Sequence, residues 1–141
     1  MEATTGVSIL HENGTCSGDI KLDNILLGQD GHLILIDVAP QDAYTERYIP
    51  PEFQGLLEIS DELPMTESRD IFALGIVLWQ IAEEIGRFDR EDQFASPCLE
   101  WTEGQEATPQ WYRNLVDSCV ETCADKRPTA RQVLEVIRAN Q

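Results

Sequence analysis

The sequence predicts a mainly α fold with one small β-hairpin, and three observations carry that expectation. Residues 71–85 are apolar on nearly every side of a helix (Ile71, Phe72, Leu74, Ile76, Val77, Leu78, Trp79, Ile81), as for a helix inside a core. Two short apolar runs, residues 25–27 and 32–36, flank the tetrapeptide GQDG, whose Asp30-Gly31 pair is a strong hairpin turn. Two C-terminal segments keep helical apolar spacing behind recognisable start signals.

In chain order, SILHENG reads as the last turns of a helix stopped at Asn13-Gly14. A loop over residues 16–24 leads into the hairpin. Residues 53–57 have room for a short helix, and residues 58–64 form an acidic loop. The buried helix is expected from near Ser68 to about Gly86. Residues 87–108 show little periodicity and many charges, which predicts mostly loop. Thr108-Pro109 then reads as an N-cap with Pro at the first helical position, ahead of Trp111, Leu115, Val116, Cys119, Val120 and Cys123. Thr129 and Gln132 form a capping-box pair opening the last helix, with Val133, Leu134 and Ile137 on its apolar face. No internal repeat or low-complexity tract interrupts this order.

The chain's 141 residues suffice for one core. Acidic residues outnumber basic ones 26 to 10, a formal charge of −16. That balance argues against nucleic acid, whose phosphates need clustered Lys and Arg. It admits a basic protein partner, although a solvated acidic surface is the simpler reading. No basic start followed by an apolar run marks a secretory signal in residues 1–10, and residues 71–85 are too short to span a bilayer. The cysteines, Cys16, Cys98, Cys119 and Cys123, contain no Cys-x-x-Cys pair, and the histidines are only His11 and His32, so no zinc site is expected. Cys119 and Cys123 read as thiols on one apolar helix face. An intracellular, cytoplasmic setting fits this cysteine usage.

The chemistry lies in GDIKLDN, residues 18–24, and in Asp37, thirteen residues after Asn24 in the run LILIDVAP. An Asp, an Asn five positions on, a hairpin, and a second Asp at a strand end resemble the catalytic-loop and metal-loop layout of protein kinases, whose reaction is phosphoryl transfer. That reaction needs one carboxylate beside the attacking hydroxyl and separate oxygen ligands for magnesium across a triphosphate. Farther on, YTERYIPPE ends in Pro51-Glu52, RDIFALGIVLWQIAEE carries Asp70 and Trp79, and ADKRPTARQVLEVI carries Arg127-Pro128. Together and in this order, these blocks resemble the C-lobe of serine/threonine protein kinases.

The resemblance implies a protein-kinase-like C-lobe over residues 1–141, a partial domain using ATP and Mg2+ on protein hydroxyls. It implies Asp19 as catalytic base, Lys21 near the transferred phosphate, and Asn24 with Asp37 as metal and cofactor ligands. Thr45, Glu52, Asp70 and Arg127 are implied as activation-segment or structural residues: Thr45 near Asp19, Glu52 paired with Arg127, and Asp70 holding the catalytic-loop backbone. Each has a plainer reading, as turn former, surface charge or helix-dipole partner. Trp79 reads as core. No Gly-rich loop or Val-Ala-Ile-Lys strand is visible, so the N-lobe is expected to lie before Met1, and a complete domain of the family needs about twice this length. The isolated chain is accordingly expected to be inactive.

The departures from the family pattern matter too. Ser17-Gly18 stand where the family has His-Arg, and Val38-Ala39 where it has Phe-Gly. This is either a consistent local rebuild or a drift toward a catalytically silent binding module, and both readings stand. Since Gly18 offers no charge to a phosphate, a loop-phosphorylation switch is not expected. A small-molecule phosphotransferase of the aminoglycoside-kinase type shares the early Asp, Asn, Asp layout, but not the Tyr48 to Glu52 block or the Arg127-Pro128 end.

Overall fold

The computed structural model of the chain describes residues 2–36, 46–60, 62–86, 99–104 and 107–141. Among them the fold is helix-rich with one two-stranded antiparallel sheet: α1 (Glu2–Glu12), β1 (Ile25–Leu27), β2 (Leu33–Leu35), α2 (Pro51–Gln54), α3 (Glu67–Ala82), α4 (Gln110–Cys119) and α5 (Ala130–Ala139).

Helix α3 is the axis of the core. Every residue from Arg69 to Gln80 is buried, so its apolar side chains meet neighbours all round. Thr66 starts it, accepting the Arg69 amide on its hydroxyl. The helix stops earlier than the Gly86 signal suggests, because the reversal happens at Glu84. That residue takes a left-handed φ of 54°, the Ile85 amide reaches the Gln80 carbonyl at 2.8 Å, and the Glu84 amide reaches Ile81. This is a Schellman ending with glutamate in the position glycine usually fills. Midway along, Gly75 lets α4 approach: a Cβ there would stand 2.7 Å from the Cys119 Cβ and 2.9 Å from a Val120 methyl.

The other elements wrap this axis. Helix α1 packs on α5 and β2, with Val7 buried at its centre. Its Glu2 carboxylate accepts the Leu33 amide and bonds the His32 ring, which holds its pKa below the ordinary value. The hairpin pairs Ile25 with Leu35, Leu26 with Ile34 and Leu27 with Leu33. Ile25 and Leu35 pack against the core, while Leu26 and Ile34 form an exposed apolar pair on the opposite face. The second strand is shorter than residues 32–36, since His32 is used in the turn, where its amide bonds the Asp30 carboxylate.

Toward the C-terminus the capping box of α5 is present in full, Thr129 and Gln132 each accepting the other's amide. Two expectations need correction. Pro109, not Thr108, occupies the N-cap of α4, because the Thr108 hydroxyl is drawn to Glu83 at 3.0 Å. Cys123 does not share a helix face with Cys119: α4 ends at Cys119 and Cys123 is exposed. The chain turns there because the Arg127 side chain takes the Glu121 and Thr122 carbonyls. The short helix expected over residues 53–57 starts earlier, at Pro51, whose fixed φ suits a first helical position. Trp79 is core, its indole N–H donating to the Glu100 carbonyl at 2.9 Å.

Candidate functional site

The loop between α1 and β1 is hung from the N-terminus of α3. Asp70 is 1% exposed, and its two carboxylate oxygens accept the Ser17 amide at 2.7 Å and the Gly18 amide at 2.8 Å. Gly18 has φ 70°, a conformation that glycine adopts without a Cβ penalty. The side chain of Met65 fills the space beside it, with Cε 3.0 Å from where a Cβ would stand. Neighbouring Arg69 grips the loop from the other side, donating to the Gly18 carbonyl at 2.7 Å and to the carbonyls of Leu63 and Pro64. Charge-assisted bonds of this kind are about twice as strong as neutral ones. Arg69 escapes a motif reading. Its only signal is a basic residue at an otherwise acidic helix start.

From this anchored backbone three side chains converge. Asn24, buried just before β1, donates its amide group to the Asp19 carboxylate at 2.8 Å and to the Asp19 carbonyl at 2.7 Å. The Lys21 ammonium lies 3.2 Å from the same Asp19 oxygen. Two donors therefore fix one carboxylate oxygen. Both amide hydrogens of Asn24 are engaged, so its remaining polar atom is the side-chain carbonyl oxygen, a donor suited to a hard cation such as Mg2+. Asp37 and Thr45, like Val38 and Ala39, lie outside the described residues.

A small cleft beside the loop is lined by Asp19, Ile20, Tyr48, Ile49, Arg69 and Ala73. Tyr48, one of the lining residues, donates its hydroxyl to Gln80 at 2.6 Å. Burial pushes this phenol up to about 12. Glu52 meets Arg127 in a two-pronged ion pair with contacts of 2.7 and 2.8 Å. Burial alone would raise the Glu52 pKa, but the hydrogen bonds and charge of Arg127 outweigh it and hold the carboxyl below its ordinary value. His11 is a further residue that the motifs do not reveal, with Nε2 2.9 Å from Asp70.

The loop suspended from the buried helix thus presents an aspartate fixed by a lysine and an asparagine. The model of the protein kinase domain matches residues 1–136, and the chain belongs to that family. It is similar to serine/threonine-protein kinase TAO1-B of Xenopus laevis, 29% identical over 94% of this chain and 14% of the relative. It is also similar to serine/threonine-protein kinase PAK 1 of Mus musculus, 25% identical over 95% and 27%, and to TAO2 of Rattus norvegicus, 28% identical over 94% and 12%. The chain thus spans about a quarter or less of the length of these relatives. Among the described residues no helix is long and apolar enough to cross a membrane.

Proposed function

We propose that residues 1–141 are the C-lobe part of a kinase domain, and that the whole protein transfers phosphate from ATP to serine or threonine hydroxyls of a protein substrate inside the cell. The observation that carries this reading is the Asp19 carboxylate held by Lys21 and Asn24. Asp19 accepts the proton of the attacking hydroxyl, Lys21 sits beside the transferred phosphate, and Asn24 with Asp37 holds Mg2+. When bound, the ion neutralises charge on the phosphates. Glu52, Asp70 and Arg127 serve as scaffold, and Thr45 as an activation-segment residue.

The test is an ATP titration and a phosphate-transfer assay on the whole protein, with Asp19→Asn as control. Saturable ATP binding and turnover lost in the control support the reading. Turnover that survives Asp19→Asn overturns it. The 141-residue chain alone is expected to bind ATP very weakly and to transfer negligible phosphate, because its sequence has no Gly-rich loop or strand Lys to cover the phosphates. Turnover by this chain at ordinary kinase rates would refute that.

A catalytically silent binding module is the second reading, favoured by Ser17-Gly18 and Val38-Ala39. It predicts no ATP binding by the whole protein, with a partner held by the acidic helical surface instead.

A further inference from the structure

Consecutive residues of α3 hold Gly18 by both of its polar groups. Asp70 accepts its amide at 2.8 Å, and Nη2 of Arg69 donates to its carbonyl at 2.7 Å. That carbonyl belongs to the planar peptide unit joining Gly18 to Asp19, which turns as one body. Fixing the carbonyl therefore fixes the direction in which the chain enters Asp19. Gly18 has φ 70° and no side chain of its own to restrict it, so the restraint has to come from outside. Arg69, 5% exposed, supplies a second one as well. Its Nη1 donates to the carbonyls of Leu63 and Pro64 at 3.2 and 3.0 Å, and the next residue, Met65, packs over Gly18 with Cγ 3.2 Å from where a Cβ would stand.

We propose that Arg69 is a positioning residue for Asp19: its guanidinium orients the Gly18–Asp19 peptide and so keeps the carboxylate where Lys21 and Asn24 meet it. Asn24 holds the other side of Asp19, bonding its carbonyl and its carboxylate. A planar fork of donors can serve three carbonyls at once, a geometry that the point charge of a lysine does not reproduce. The effect on turnover rests on the phosphotransfer reading of Asp19, whereas the effect on the loop does not. The small cleft lined by Gly18 and Asp19 is lined by Arg69 too, so a free guanidinium ion has a way in once that side chain is shortened.

Turnover is measured on the whole protein, and loop geometry by NMR on the 141-residue chain. Arg69→Met keeps the bulk and removes the donors. It should lower kcat by about tenfold or more and leave the KM for ATP unchanged. Arg69→Ala should lose activity likewise and regain it with millimolar guanidinium, to which Arg69→Met, having no space, should not respond. In the chain, Arg69→Met should speed solvent exchange of the Asn24 side-chain amide protons by about tenfold. In the unmutated chain, restricted rotation should give separate signals for the Arg69 Nη protons, which covers a variant that fails to fold. An unmutated whole protein without turnover would overturn the phosphotransfer reading, and the Asn24 exchange and Arg69 signals would still decide this one. Ordinary kcat in Arg69→Met, no rescue of folded Arg69→Ala, unchanged Asn24 exchange, or averaged Arg69 signals would each overturn the proposal.

Discussion

Arg127 grips Glu52 with both prongs of its guanidinium across 75 residues of sequence, and the two ends of the pair are buried unequally. The Arg127 side chain is fully enclosed, whereas that of Glu52 is 27% exposed. The cation also donates to the carbonyls of Ser68, Glu121 and Thr122, and lies 5.1 Å from the Phe72 ring. It therefore joins α2, α3 and the segment before α5.

Arg127→Ala should cost about 3–5 kcal/mol, because it removes an enclosed cation from the carbonyls of Ser68, Glu121 and Thr122 as well as from Glu52. Equilibrium urea unfolding measures it, and a loss under about 1 kcal/mol would place the pair among surface bridges. Because the folded-state pKa of Glu52 is lowered, its contribution is present above the ordinary value of 4.5 and is lost as pH falls below that. Glu52→Gln should flatten that part of the acid-side stability curve.

Alkali should act through two tyrosines. Burial raises the phenols of Tyr48 and Tyr112 from an ordinary value of 10 to about 12. Their neutral forms contribute stability in full below pH 10, and this is lost as pH rises through 12. Phenolate absorbance should lag for these two and rise together with loss of far-UV helix signal. Two early, reversible ionisations with the helices intact would contradict the burial.

Gly75→Ala sets two effects against each other. Alanine gains about 1 kcal/mol of helix propensity over glycine. The added methyl would meet Cys119 at 2.7 Å, and overpacking typically costs about 1–3 kcal/mol. Destabilisation by roughly 1 kcal/mol or more is expected from thermal unfolding, and a gain in stability would mean that α3 and α4 are not so closely packed.

Glu84→Gly should do the reverse. A left-handed residue with a Cβ carries about 1–2 kcal/mol of strain, which glycine removes at some cost in unfolded-chain entropy. A net gain of about 0.5–1 kcal/mol is expected in chemical denaturation. Loss of stability would mean that the Glu84 side chain does more than endure its position.

Helix α3 is legible because a run that is apolar all round has few alternatives to burial, and the capping box of α5 because its partners are three residues apart. The ends of α3 and α4 are less so. Glu84 reverses the chain without glycine, and Thr108 leaves its cap for Glu83, a contact set by tertiary distance. At the site, the offset of Asp19 from Asn24 is visible in sequence. The three-carbonyl clamp of Arg69 and the contact of His11 with Asp70 are not, because they depend on how α1 and α3 cross.

The loop is suspended by the main chain of residues 17 and 18. An amide is something that nineteen of the twenty residue types bring to position 17; proline alone lacks it. The identity of that side chain can drift while the loop keeps its place. A text pattern demanding fixed letters before Asp19 would then overlook chains built this way, and a search for a buried carboxylate beneath two consecutive amides would find them.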